Sequence, residues 1–178
     1  MSLRRTGGFV LCLMVLFAIG CGQGSDTATE DTVAATPDDV VDPPPYTGEV
    51  VINDMGMAVD QWGSDDYEIE TGDGQVPVIA DDTLTLTVSY GGGCETHDFT
   101  LVASDVFMES YPVQLGVTLA HDANGDMCEA YLTEAYEFDL TPIKTLYQEG
   151  YREDAGTIVL RLRDVPEDAP DLIYTFGP

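Results

Sequence analysis

The stretch "TLTLTVSY", from Thr83 to Tyr90, places Leu84, Leu86, Val88 and Tyr90 on one side of the chain and threonines and a serine on the other. Alternation with a period of two belongs to a strand with one buried face; a helix, turning every 3.6 residues, would scatter these apolar groups around its axis. The same pattern returns along the chain. "HDFTLVA" from His97 aligns Phe99 and Leu101 with the histidine, and "VQLGVTLAH" sets Val113, Leu115, Val117, Leu119 and His121 on a single face. Cys128, Ala130, Leu132, Tyr136 and Phe138 share parity, interrupted by Glu134. "TIVLRLR" offers Ile158, Leu160 and Leu162, "LIYTF" from Leu172 supplies a closing strand, and "VVIND" and "YEIET" read as two further strands with "GDGQVP" as a turn. One segment breaks the rule: "LTPIKTLYQEG" has Thr141 as N-cap, Pro142 at the first helical position and Gly150 as the stop, which predicts a helix over 142–149. The expected class is all-β, an antiparallel β-sandwich or open barrel with one short helix.

The N-terminus sets the compartment. Arg4 and Arg5 precede an apolar run from Phe9 to Ile19, shorter than the roughly 20 helical residues needed to cross a hydrocarbon core. It reads as an export signal over residues 1–20. Its end, "LFAIGC", resembles the lipobox of bacterial lipoproteins, which implies a diacylated Cys21 as the mature N-terminus. Ala18 and Gly20 equally satisfy the small-x-small rule of ordinary secretory cleavage, and both routes cut after Gly20. Two acyl chains suffice for stable attachment without a transmembrane helix. Gly22 stands where an aspartate would retain a lipoprotein in the inner membrane of Gram-negative bacteria, so the outer membrane, facing periplasm or exterior, is the expected location.

Residues 21–49 follow as a tether, acidic, without apolar periodicity and ending in a triple proline that stiffens its far end. Residues 50–178 suit a single domain with one core. All 33 acidic residues lie beyond Cys21, whereas two of the six basic ones leave with the signal, so the formal charge of −27 becomes more negative on maturation. Such a surface repels phosphate backbones, which excludes nucleic acid as a partner. The acids are scattered, as on a surface that keeps an exported domain soluble; the same field attracts cations and basic partners, an envelope protein or a small ligand.

Loss of Cys12 and acylation of Cys21 leave Cys94 and Cys128 as the one free pair in an oxidising compartment. Bridging them closes a loop worth about 3–4 kcal/mol in the chain-entropy model. The alternative uses Cys94, His97, His121 and Cys128 as ligands of tetrahedral zinc or copper, although the parity of both histidines also fits packing in the core. In "HDANGDMCE", Asp122, Asn124, Asp126 and Glu129 offer oxygens to calcium, while Asn124-Gly125 is a preferred centre for a two-residue hairpin turn. The glycines at 91–93 suit a sharp bend.

With two histidines and neither G-x-S-x-G nor H-E-x-x-H, the chain lacks the usual hydrolytic constellations, and no phosphate-cradling loop is present. A Cys94 nucleophile with His97 or His121 as base runs against oxidation on export. The reading is of a non-enzyme without a cofactor, with Trp62 and nine tyrosines available to line a ligand groove.

"VSYGGGCETHDFTLV" and "CEAYLTEAYEFDLTPIK" resemble the two signature stretches of the C-terminal β-sandwich domain of NigD-like lipoproteins, over roughly residues 75–178. The resemblance implies an exported lipoprotein, carries over no catalytic residue, and places Cys94, His97 and Cys128 at motif positions of one local cluster.

Replacing Cys21 by serine is expected to move the protein from the membrane fraction to the soluble fraction, followed by immunoblotting. An unaltered chain that is already soluble overturns the anchor.

Overall fold

The computed structural model describes residues 43–178 apart from 73, 168 and 178. The signal, Cys21 and the tether up to residue 42 lie outside the described residues. Nine strands form the framework: β1 (Tyr46–Ile52), β2 (Glu68–Ile69), β3 (Val78–Ala80), β4 (Thr83–Gly92), β5 (Asp98–Ala103), β6 (Val113–Asp122), β7 (Ala130–Asp139), β8 (Gly156–Leu162) and β9 (Leu172–Phe176). Two helices, α1 (Ala58–Trp62) and α2 (Thr141–Tyr151), complete it. β1 starts ahead of the expected domain boundary at residue 50.

All nine strands belong to one sheet, ordered β2-β4-β7-β1-β5-β6-β8-β9 with β3 also on β4. The sheet curls into a half-barrel, bringing β3 near β9 at its other end. Its turning point is β1, whose first half, Tyr46–Gly48, runs parallel to β7, while its second half, Glu49–Ile52, runs parallel to β5. A third parallel pair joins β6 to β8. The all-β class with a short helix is what the sequence predicts; the parallel pairs are not. Alternation identifies a strand's wet and dry faces but says nothing about the direction of its neighbour.

The core lies inside the curl. Across the long antiparallel β4–β7 ladder Leu84 faces Phe138 and Leu86 faces Tyr136, all 4% exposed or less. Leu101, Leu115, Val117, Ile158 and Tyr174 continue the cluster from the other half. α2 adds Ile143, fully buried, with Leu146 and Tyr147 against its edge. Expectation and structure differ at the ends of this helix. Thr141 is its first residue, not its cap; the Asp139 carboxylate accepts from the Thr141 backbone N–H at 2.9 Å and from its hydroxyl at 2.6 Å. The helix passes Gly150 and stops at Arg152, which takes the left-handed conformation (φ 60°) and donates its N–H to Gln148. At the opposite end of the same surface Asp82 accepts from the Lys144 ammonium and from the Tyr174 hydroxyl, tying α2 and β9 to the β3–β4 turn.

The outer side of β5 and β6 is covered as well. Ala58 of α1 packs with Val102 and Ala120, flanked by Val51 and Trp62. Phe99 to Ala103 are therefore buried without interruption. This departs from the single wet face expected of every strand.

Leu86→Ala is expected to destabilise the domain by about 2–5 kcal/mol, the range for emptying a core leucine site. Thr87→Ala, on the other face of the same strand, is expected to stay within about 0.5 kcal/mol. Urea denaturation of both variants checks the assigned faces, and equal losses would reject them.

Candidate functional site

The chain crosses between the two halves of the sheet at one end, through residues 93–97 from β4 to β5 and through residues 123–129 from β6 to β7. Neither crossing is a hairpin, because β4 pairs with β2, β3 and β7, and β6 pairs with β5 and β8. Asn124 (φ 52°) and Gly125 (φ 73°) do form the expected tight turn, closed by an Asp126 N–H to Ala123 carbonyl bond of 2.9 Å. The turn instead carries the chain across from one half to the other, which corrects the hairpin expected there.

Asp126 joins the two crossings. One carboxylate oxygen accepts from the backbone N–H groups of Gly93, Cys94 and Glu95 at 2.8, 2.8 and 2.9 Å, and lies 3.2 Å from His97 Nε2. The other accepts from the Cys128 N–H at 2.8 Å. Successive N–H groups aimed at one point form an anion-binding nest. The glycines make this possible: Gly92 and Gly93 adopt φ of 155° and 112°, and a Cβ on Gly92 would overlap the His97 ring and sit 3.0 Å from the Asp126 carboxylate. The donated N–H groups, Glu95 first, followed by Cys128 and Cys94, hold the Asp126 carboxyl well below the ordinary carboxylate range, with His97 adding to the effect.

Beyond Asp126 two imidazoles run inward. His97 Nδ1 lies 2.8 Å from His121 Nε2, and His121 Nδ1 lies 3.2 Å from the Asp65 carbonyl oxygen. Both rings are buried, at 6% and 1% exposure. The ring of His121 stacks on Phe99 with centroids 4.3 Å apart, and Tyr90 packs against His97 at 4.5 Å. An ionised carboxylate only accepts, so a proton lies on His97 Nε2 toward Asp126. Burial holds His121 below the ordinary histidine range, against the pull of the Asp65 carbonyl.

Cys94 and Cys128 stand at disulfide distance, their Cα atoms 5.9 Å apart, directly beside this network. The candidate zinc or copper set is not gathered around one point. Among the described residues the sulfurs group with Asp126 and with neither histidine, while His97 Nδ1 faces His121 Nε2. The candidate calcium set is also spread. Asp126 faces inward with both oxygens occupied, and Asp122 accepts the Asn124 backbone N–H. The side chain of Asn124 donates through Nδ2 to the Thr96 carbonyl and to Asp98. Glu129 is exposed and joins no carboxylate cluster among the described residues.

Three hollows border the network: one of about 260 Å³ at His121, lined by Asp65, Asp66, Tyr67 and Asp164 among others, and two at His97. Of the two at His97, one, of about 440 Å³, is lined by Tyr46, Tyr90, Cys94, Glu95, Glu134 and Tyr136 among others; the second, of about 430 Å³, by Glu49, Trp62, Asp98, Asp122 and again Tyr136. His97 borders both. Tyr46 stacks on Tyr136 with centroids 5.3 Å apart and is half exposed. The Tyr90 hydroxyl donates to Glu134, and burial first, then that carboxylate, pushes the phenol far above its usual range. Sequence reasoning singled out the cysteines and histidines, named the tyrosines only as a class, and missed Glu95 and Glu134, an exposed and a half-buried residue with no local spacing to link them.

Fold and site together define an all-β domain built on one curled sheet, with its two halves fastened at one end by a carboxylate-centred network and a cysteine pair. No protein-family model matches the chain. No curated protein matches it. Among solved structures it is similar to a protein described as a lipoprotein from Bacteroides fragilis (15% identity, TM-score 0.47, covering 76% of this chain and 72% of that one). It is also similar to a NigD-like immunity protein from Bacteroides caccae (15%, 0.44, 73% and 58%) and to a toxin-related protein from Parabacteroides distasonis (14%, 0.45, 74% and 60%). The chain thus spans less than two thirds of the length of the last two.

Asp126 and His121 are both held below their ordinary ranges in the fold, so the unfolded chain takes up protons first. Stability is expected to be full above about pH 6.5, where an unfolded histidine titrates, to erode below it, and to fall more steeply below about 4 as unfolded aspartates protonate. Urea midpoints at neutral pH, about 5.5 and about 4 measure this dependence. A midpoint that rises on acidification overturns it.

Proposed function

We propose that this chain is an exported, lipid-anchored protein of the bacterial envelope whose folded domain is a non-catalytic binding module. One observation carries the second half of the reading. The groups that would do acid–base or nucleophilic chemistry are spent on one another: Asp126 on five donors, His97 on Asp126 and His121, and Cys94 on Cys128. A general base needs a reacting proton within hydrogen-bond reach, and this relay ends on the Asp65 carbonyl. What remains open around these groups are hollows lined by tyrosines and carboxylates.

The anchor rests on the leader and on Cys21, read from the sequence. No helix among the described residues is long and apolar enough to cross a membrane. The cysteine pair is proposed as a bridge, since export favours oxidation of thiols held this close. Outer-membrane placement is proposed on the resemblance to Gram-negative sorting, with Gly22 after the acylated position.

Alkylation of the denatured, unreduced protein followed by peptide mass spectrometry is expected to leave Cys94 and Cys128 unmodified, and prior reduction to expose both. Cys128→Ala is expected to lower stability by about 3–4 kcal/mol, the loop-closure contribution. Thiols that become alkylatable only after a chelator is added would replace the bridge by a metal. Thiols free without reduction or chelation would reopen nucleophilic chemistry at Cys94.

A further inference from the structure

We infer that Asn124 is a modification site, where spontaneous loss of ammonia turns an amide that ties the two crossings together into a carboxylate that pushes them apart.

The turn at residues 123–126 holds the reacting groups. Asn124 is followed by Gly125, which has no side chain to shield its own backbone nitrogen, and both residues are exposed to water. The Gly125 N–H meets no acceptor among the described residues, and open space surrounds the point where a Cβ would stand. Once hydroxide has taken its proton, the Gly125 nitrogen bonds to Asn124 Cγ. The Cγ–Nδ2 bond breaks, and Nδ2 takes a proton from water and leaves as ammonia, so that a succinimide ring closes on the backbone. Water then adds to one of the two ring carbonyls and breaks its bond to nitrogen. Opening at Cγ gives aspartate; opening at the backbone carbonyl gives isoaspartate, in which the main chain runs through the side chain and is longer by a carbon. The sum is water taken up and ammonia released, with no oxidant, reductant or enzyme. The chain has one other asparagine, Asn53, and it is followed by Asp54, whose side chain hinders the same approach.

The fold makes this conversion consequential. Asn124 Nδ2 donates to the Thr96 carbonyl and to the Asp98 carboxylate, both at 2.8 Å, and so joins the crossing at 123–129 to the far end of the crossing at 93–97. A carboxylate in the same place has no proton to give. Its oxygens face a carbonyl and a second carboxylate, and Asp122, which accepts the Asn124 backbone N–H at 2.8 Å, stands beside them as a third acid. Like charges held this close repel. Isoaspartate acts on the backbone as well. The added carbon falls inside the turn closed by the Asp126 N–H on the Ala123 carbonyl, and it displaces Asp126, the acceptor for Gly93, Cys94 and Glu95.

The test incubates the folded full chain in detergent at mildly alkaline pH, in water enriched in heavy oxygen, and maps its peptides by mass spectrometry. Conversion is expected at Asn124, with heavy oxygen incorporated in aspartate and isoaspartate alike, while Asn53 stays unconverted over the same period. Gly125→Asn keeps a residue that accepts the φ of 73° and places a side chain beside the nitrogen; it is expected to slow conversion at Asn124. In urea denaturation Asn124→Asp is expected to lower the folded-to-unfolded ratio about tenfold, the loss of a doubly donating amide at an exposed site. Adding Asp98→Asn is expected to recover part of that loss, since an amide then faces the new carboxylate, whereas Asp98→Asn alone is expected to stabilise nothing.

An Asn124 that stays intact in the folded chain, after the same residue in the urea-unfolded chain has converted, overturns the site, as does conversion of Asn53 at an equal rate. An Asn124→Asp chain as stable as the unaltered one, or one that Asp98→Asn leaves unrepaired, overturns the tie.

Discussion

The Asp126 carboxylate is the interaction on which this molecule turns. Two loops cross between the halves of the sheet at the same end, and neither has a partner strand to take up its backbone donors. Four N–H groups and one imidazole N–H converge on a single side chain with no solvent exposure. A buried charged acceptor left without donors costs more than the roughly 1–3 kcal/mol of a neutral group, so the placing of the Asp126 carboxylate depends on the N–H groups that residues 93–95 turn toward it. The cysteines at the same crossing act on a different state: a bridge restricts the unfolded chain, whereas Asp126 acts in the folded one. The two devices fasten the same seam by independent physics.

The opposite requirement, joining the halves along their length, falls to β1. Its parallel pairing to β7 and then to β5 turns two ladders into one continuous sheet. Gly48 sits at the change of partner, where a Cβ would overlap the Phe138 ring. The missing side chain leaves room for the Phe138 ring against the strand at that step. α1 then covers β5 and β6 from outside, which leaves the apolar positions of both faces dry. The curl, the seam and the outer cover together fix His97, just before β5, and His121, one residue short of the end of β6, at hydrogen-bond distance.

Much of this was legible. Period-two patterning located β4 to β9 within a few residues, and parity placed His97 and His121 with the core. Proximity of Cys94 to Cys128 followed from counting thiols. What escaped is non-local. An Asn-Gly turn has the same dihedrals whether the strands it joins pair or part, so residues 123–126 read as a hairpin when they are a crossing. α1 is one turn and a half long, too short for a 3.6-residue period to emerge from "AVDQW". Asp126 reads in one dimension as a cation ligand, because carboxylates near a turn suit hard ions. The glycine run upstream was the contrary signal, since positive-φ backbone turns consecutive N–H groups to one side and creates a demand for an anion. The sequence signal for Asp126 lay more than thirty residues away from it.

Division of labour among the acids follows from the same geometry. A domain this negative repels itself, which favours expansion, and most of its carboxylates have no cation to offset them among the described residues. Asp126 is neutralised from within by oriented N–H groups and leaves little field outside the seam. Glu95, adjacent in the chain to the nest, gives its N–H to that anion while its own carboxylate remains in solvent at the rim of the hollow. The loop therefore presents charge outward because it is held by charge inward. Screening by salt weakens the outer field within about 8–10 Å at physiological strength but reaches the sealed carboxylate far less, so the seam persists under conditions where attraction at long range fades. Under the same conditions the seam keeps the tyrosine-lined wall beside His97 in place.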